Sequence, residues 1–455
     1  MRHGVYTSVQ DTSISTPASV SVGIPFVVGS APISTADSDT RATLNKPYIC
    51  YTYAEFVDQF GWSDNWAKYT ICEVVYAYFK LYNVGPIVVC AVNEDATASD
   101  YQTKVIAGIE YIELCKTQLG LVPDLILCPG LDNVTAVQAV MMAKAQSINE
   151  KYQARAVITV PMASTTEDFD GDGTQTKFTL AANPLPAAVT AKVGATDATV
   201  TYDDDTGEVT FSTAPASGTG NVHVTYLAEP KTYTAAIAAK NAGSFNEWAI
   251  ITFGYPKLGD LRFHGSTMEA GRISATDSDN NGIPYESPSN KHVPMDSLVN
   301  DAGTALDLSE SQANLLNAAG ICTFINQGGQ WTAWGNYTGA YPASSDVVEY
   351  FIPVARMFDY CRKAVTNTFR DKVDKPLDRR LLDSINDSVN MWLNGLVGAG
   401  YLIGARCELL DNENPLTDLM SGIIKFHIYM TPPGPAQEID FILEYDPAYL
   451  ESLFS

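Results

Sequence analysis

Between residues 422 and 445 the apolar side chains fall on alternate positions in two runs. Ile424, Phe426, Ile428 and Met430 are separated by Lys425, His427 and Tyr429. After the corner Thr431-Pro432-Pro433-Gly434-Pro435 the alternation resumes with Ile439, Phe441, Leu443 and Tyr445. A period of two predicts two half-buried strands. Proline fixes φ and lacks an amide donor, so this corner does not let the last strand fold back as a hairpin. That strand is expected to pair elsewhere, in another subunit. Val5, Tyr6 and Val9 form a matching extended stretch at the other end, followed by a Ser/Thr-rich segment with too few large apolar residues for a core of its own.

Upstream, strand and helix patterns alternate. Strands are predicted over 23–30, 87–92, 124–130 and 154–160, and helices over 53–60, 66–82, 100–119 and 134–152. The continuous apolar run Ile87-Val88-Val89-Cys90-Ala91-Val92 suits a strand covered on both faces, so a parallel α/β sheet is the economical fold. From 165 to 229 short alternating runs are separated by Gly, Asp, Pro and Ser, which predicts an inserted antiparallel β-sandwich. The α/β pattern resumes with a helix over 233–240 and strands over 248–253 and 321–326. Past 341, helices over 346–371 and 377–396 and strands over 401–410 and 424–430 predict an α+β unit whose small sheet has open edges. Its receiving positions are expected to include Ile403, Ala405, Ile424, Phe426 and Ile428. The expected organisation is an arm (1–20), an α/β domain (21–164 and 230–340), the insertion (165–229), the α+β assembly domain (341–436) and a second arm (437–455).

At 455 residues, two or three domains are expected. The net charge of −24, with 28 Lys+Arg against 52 Asp+Glu, argues against nucleic acid as a partner. Eight cysteines occur without a CxxC pair, and Cys72, Cys90, Cys115 and Cys128 lie in apolar segments, which predicts buried free thiols. With no signal peptide and no membrane-spanning run in sight, assembly in a cytosol and no membrane insertion are expected.

Several phrases together resemble contractile phage tail sheath proteins: His3-Gly4-Val5-Tyr6, Gly23-Ile24-Pro25-Phe26-Val27-Val28-Gly29-Ser30-Ala31-Pro32, Ala270-Gly271-Arg272-Ile273 and the closing strand-proline-strand segment. Their order and spacing carry the resemblance, which spans nearly the whole chain outside the insertion. It implies a subtilisin-like α/β domain without a triad, and hexameric rings stacked into a helical sleeve around a tail tube. It implies tube, baseplate and tail terminator proteins as partners, no cofactor, and a place in a virion tail, a phage-tail-like bacteriocin or another contractile injection system, assembled in the bacterial host cytoplasm. Val5, Tyr6, Val9, Ile439, Phe441, Leu443 and Tyr445 would then be the inter-subunit arms.

Two chemical readings compete with a structural one. Asp168, Asp170 and Asp172 with Gly173 match the start of a calcium loop, but Thr179 stands where a bidentate Glu is required, so a polar turn is expected. The similar run 277–282 is expected to be a solvated loop. The segment His264-Gly265-Ser266 suggests a hydrolase with a β-sandwich binding module. A triad needs its members on separate converging loops, whereas these two are adjacent on what reads as a connecting loop, so no catalytic residues are expected. The five histidines show no metal-binding spacing.

Overall fold

The computed structural model describes residues 23–181, 189–203 and 206–454. Val5, Tyr6 and Val9 lie outside the described residues.

The body is built on an eight-stranded sheet. It draws on β1 (Pro25–Ser30), β2 (Tyr48–Cys50), β3 (Ile87–Asn93), β4 (Leu125–Leu127), β5 (Arg155–Thr159), β13 (Ala249–Thr252), β17 (Ile321–Gln327) and β18 (Gln330–Trp334), in the order β18-β17-β13-β5-β4-β1-β3-β2. The six inner strands run parallel and the two edges antiparallel. Alternate residues of the inner strands enter different cores. Phe26, Val88, Ile126, Ile158 and Ile251 face one core, and Val27, Val89, Leu127, Val157 and Ile250 the other. Both faces are covered, which is why these strands read as unbroken apolar runs.

The helices over this sheet are α1 (Tyr53–Phe60), α2 (Thr70–Tyr76), α3 (Tyr101–Ile109), α4 (Cys115–Gln118), α5 (Thr135–Gln146), α6 (Tyr233–Ala242), α7 (Gly265–Asp279) and α8 (Glu310–Ala318). Thr52 caps α1 by accepting from the Glu55 N–H at 3.2 Å, and Ser309 opens α8 with a capping box completed by Gln312. The helix expected over 66–82 begins only at Thr70 and ends in a π turn, Ala77–Tyr82; that over 100–119 is interrupted by a 3-10 turn, Glu110–Leu114. A three-stranded sheet of β14 (Tyr255–Leu258), β15 (Leu261–Arg262) and β16 (Ser297–Val299) lies beside the body.

The region after β5 forms two antiparallel sheets around one small core. One holds β6 (Ala163–Gly171), β8 (Thr190–Val193), β9 (Thr196–Ala198) and β12 (Gly218–Ala228); the other holds β7 (Lys177–Thr179), β10 (Val200–Asp203) and β11 (Glu208–Phe211). Phe178, Val209, Phe211, Val222, Val224 and Tyr226 fill the space between them.

The last unit comprises α9 (Val347–Tyr350), α10 (Ile352–Thr368), α11 (Arg379–Gly398), β19 (Gly404–Glu408), α12 (Leu416–Met420) and β20 (His427–Thr431). Met357, Tyr360, Val389, Leu393 and Leu396 of the two long helices share a core with Cys407. Ion pairs fasten α10 to the body. Arg356 pairs with Asp277 on α7 at 2.5 Å, Arg155 with Asp359 at 2.6 Å, and Lys363 donates to the Val122 carbonyl at 2.6 Å. The continuous helix expected over 346–371 is two pieces: Phe351 between them is extended and bridges Tyr337, and Pro353 lies in the first turn of α10.

All eight cysteines are buried free thiols. No described helix is long and apolar enough to cross a membrane.

Candidate functional site: an open sheet and an exposed terminal segment

Strands β19 and β20 pair only with each other among the described residues, so each offers one free edge of N–H and C=O groups. Their register sets Ala405 against Met430 and Cys407 against Ile428, and these four face the core under α11. The opposite face is polar. Arg406 lies 3.9 Å from the Tyr429 ring centroid and 2.8 Å from Glu408, and His427 stacks on Tyr429 and contacts Glu413 at 2.8 Å.

The strands are shorter than expected. Ile424 and Phe426 precede β20, in a stretch where the Asn414 side chain bonds both the N–H and the C=O of Lys425. Phe426 still packs on the core, while Ile403 lies just before β19, exposed, its N–H on the Thr431 carbonyl at 2.9 Å.

Beyond β20, Pro432 is buried and residues 433–439 line a cleft of the body before the chain becomes exposed. Residues 437–446 form no strand within the chain: Gln437, Glu438 and Ile439 line a cleft together with Asn314, Trp334 and Tyr337, and the residues after them are exposed. Phe441 is 85% exposed and Leu443 94%, with Ile439 and Tyr445 similarly bare. A run of large apolar side chains left in water is the informative departure from ordinary burial, since each is worth about 1.5–3 kcal/mol when covered. Tyr337 donates its hydroxyl to Gln437 Oε1 at 2.5 Å, fixing the point from which the segment departs.

The chemistry weighed on the sequence falls elsewhere. Asp168 and Asp170 belong to strand β6, not to a loop, and their carboxylates are engaged: Asp168 with His223 at 2.6 Å and Asp170 with the Gly220 N–H at 2.5 Å. Asp172 accepts from the Thr174 and Gln175 amides, making a turn. Among the described residues no group of His, Cys, Asp and Glu is arranged to hold a metal ion.

His264 and Ser266 are not on a connecting loop. His264 is the N-cap of α7, and Ser266 is buried in its first turn with Oγ unpartnered. The run 277–282 is likewise no solvated loop at its start, because Asp277 is buried in the last turn of α7 against Arg356. Around His264 the fold gathers a polar cluster that sequence spacing did not reveal. The imidazole Nδ1 lies 2.7 Å from Glu73, Thr159 donates to Asp132 at 3.1 Å, and Glu229 accepts from both Asn133 and Tyr255.

Burial alone would pull the His264 imidazole down, but the Glu73 carboxylate, with Asp132 and Glu229 nearby, outweighs it and holds the group at about 9. Burial pushes the Glu229 carboxyl up to about 7, aided by Asp301 and opposed by its hydrogen bonds. In this cluster the imidazole is committed to a carboxylate and Ser266 is sealed from solvent, an arrangement suited to holding elements together.

No family model matches the chain. It is 29% identical to the tail sheath protein of Burkholderia phage BcepMu over 189 residues, 41% of this chain and 39% of that one. It is 30% identical to the major tail sheath protein of Serratia phage KSP20 over 159 residues, 35% of this chain and 39% of that one. The matches thus span less than two-thirds of those relatives' length. Among solved structures, the sheath complex of an extracellular contractile injection system (PVC, contracted state) superposes with a TM-score of 0.63 at 13% identity, covering 99% of both chains. The contracted helical sheath of the anti-feeding prophage gives 0.61 at 14% identity, over 97% of this chain and 99% of that one.

The chain has the contractile-sheath fold.

That fold covers nearly the whole chain, insertion and terminal unit included, and the sequence similarity to phage tail sheath proteins agrees with it.

Proposed function

We propose that this protein is the structural subunit of a contractile sheath, in which copies form stacked hexameric rings around an inner tube and lend terminal strands to one another. The observation that carries the reading is the exposed segment 437–446, apolar on alternate positions and unpaired, on a chain that also holds a two-stranded sheet with free edges. Adding a strand to such an edge supplies main-chain hydrogen bonds of about 1 kcal/mol each and covers Ile439, Phe441 and Leu443. Ordering the segment costs about 1–2 kcal/mol per residue, so one arm contributes modestly, and repetition around and between rings makes the mesh firm. Contraction would be a rigid-body rearrangement of subunits with the ladders kept and the proline corner acting as the link. The tube, baseplate and terminator proteins would be its partners, and the bacterial cytoplasm its place of assembly. Electron microscopy of the purified protein tests this: regular sleeves are expected, and soluble particles at every protein and salt concentration would contradict it.

A further inference from the structure

We propose that the body-facing stripe of α10 is a register lock: the order of charges along it admits one position of the terminal unit on the body and excludes a slide by one helical turn. Arg356, Asp359, Lys363 and Asn367 are spaced three, four and four residues apart, so they share one side of the helix. Met357, Tyr360, Cys361 and Ala364 form the apolar side packed in the core with α11. Each polar residue of the stripe meets one feature of the body. Arg356 holds Asp277 at 2.9 and 2.5 Å, with Asp124 at 3.4 Å. Asp359 accepts from Arg155 Nε at 2.7 Å and lies 2.6 Å from its Nη2. Lys363 donates to the Val122 carbonyl at 2.6 Å, and Asn367 Oδ1 accepts from Lys116 and from the Tyr152 hydroxyl, both at 2.9 Å. The three charged residues of the stripe are buried, and so are Asp124, Arg155 and Asp277.

The stripe thus runs cation, anion, cation, amide, against anions, a cation, a carbonyl and a second cation on the body. A step of one turn moves α10 by about 5.4 Å and brings each side chain to the place of its neighbour on the stripe. Moved one way, Asp359 comes opposite Asp277 and Asp124, and Lys363 comes opposite Arg155. Moved the other way, Arg356 comes opposite Arg155, Asp359 opposite the Val122 carbonyl oxygen, and Lys363 opposite Lys116. Both steps replace attraction by repulsion in a buried seam, where an uncompensated charge is costly. One-turn slides of packed elements are a recurrent way for proteins to switch, and here the charge order closes that route. The gain is in register rather than in stability, because an apolar seam of similar volume can be as stable. The lock is a property of the single chain. Joined to the strand-lending reading, it means that a pull on segment 437–446 reaches the body without moving the terminal unit along it.

The test measures the separation of two spin labels on the full chain, as dispersed subunits, by pulsed electron resonance. All eight native cysteines are buried, so cysteines introduced at exposed positions take the labels. Asn394→Cys on α11 is paired in turn with Thr103→Cys on α3 and Leu315→Cys on α8. The parent is expected to give one narrow separation for each pair. The exchange Arg155→Asp/Asp359→Arg makes the first of the two steps attractive, since the introduced arginine then meets Asp277 and Lys363 meets the introduced aspartate. It is expected to add a second separation, displaced by up to about 5 Å. The apolar pair Arg155→Met/Asp359→Leu removes the two groups that clash in both steps, keeps the fold, and is expected to broaden the parental separation. Two separations in the parent, or a single separation of parental width in both variants, would overturn the lock. Failure of the protein to form sleeves bears on the strand-lending reading alone, because these separations are taken on dispersed subunits.

Discussion

Arg356 on α10 and Asp277 on α7, 79 residues apart in sequence, meet through two guanidinium nitrogens, Nη1 at 2.9 Å and Nη2 at 2.5 Å, both side chains out of solvent. Nη2 also lies 3.4 Å from Asp124, whose carboxylate receives the Gly23 and Ile24 amides at 2.6 and 3.0 Å. One guanidinium thus ties the last unit to the body and to the first described residues. If inter-subunit strands transmit a pull through the terminal unit, this junction carries it.

Removing one partner of a buried pair strands the other charge, so Arg356→Met is expected to destabilise by about 3–5 kcal/mol. Replacing the pair together, Arg356→Met with Asp277→Leu, is expected to recover most of the loss. Urea unfolding of the single and double variants measures both. A double variant destabilised by the sum of Arg356→Met and Asp277→Leu measured singly would show that the pair contributes nothing beyond its separate groups.

Stability should fall as pH rises through the neutral and alkaline range. Glu229 and Glu269 are carboxyls raised by burial from the usual 4.5 to about 7 and about 8, so their contribution is full below pH 4.5 and lost as pH climbs through those values. His264, raised from 6.5 to about 9 because the Glu73 carboxylate outweighs burial, contributes fully below 6.5 and is lost through 9. All three signs agree. Thermal melting between pH 5 and 9.5 is expected to show a declining Tm, with a shallower slope between pH 5 and 8 for Glu269→Gln.

The small two-sheet body should be removable only with its root intact. Asn133 holds both strands of that root: its carbonyl accepts the Met162 N–H at 3.0 Å, and its amide donates to Glu229. Replacing residues 165–227 by a short Gly/Ser linker is expected to leave a cooperatively folding protein. Glu229→Ala in the intact chain should cost about 1–3 kcal/mol, because the buried Asn133 and Tyr255 donors lose their acceptor. Calorimetry of the two proteins distinguishes the outcomes.

Ser266→Ala is expected to change stability by no more than about 1 kcal/mol, since Ser266 Oγ makes no well-formed hydrogen bond and its one polar neighbour is the Asp132 carboxylate. A hydrolytic activity abolished by this change would revive the enzyme reading.

What the sequence revealed follows from where burial is one-sided or unbroken. β3 and α1 were legible because an unbroken apolar run and a short helical stretch stopped by Gly61 are local signals. The helix α7 was not, because Gly265–Asp279 is buried nearly all round and carries no apolar stripe. Some of its polar groups are satisfied inside, as when Ser274 donates to the Gly23 carbonyl at 2.5 Å, whereas Ser266, Thr267 and Glu269 are buried with side-chain oxygens unpartnered. Only its last residues looked like a calcium-loop fragment. For α8 the sequence does carry a local signal, the Ser309…Gln312 capping box. In the candidate site, the alternation at 424–430 and 439–445 was plain. Its partners depend on register, and the cluster of Glu73, Asp132, Glu229 and His264 depends on folding, neither of which spacing records.

Segment 437–446 is proposed to link subunits. Truncation after Thr431 removes the buried Pro432 and the Tyr337–Gln437 hydrogen bond but leaves every strand and every apolar core in place, and is expected to give a folded protein. Phe441→Asp puts a charge on the side to be covered, and Glu444→Gln leaves that side unchanged. Negative-stain imaging of the four proteins, with melting curves to establish folding, is the direct measurement. Sleeves from the parent and Glu444→Gln, with folded but dispersed truncated and Phe441→Asp proteins, are the predicted result; sleeves of normal length from either of the latter two would contradict the account.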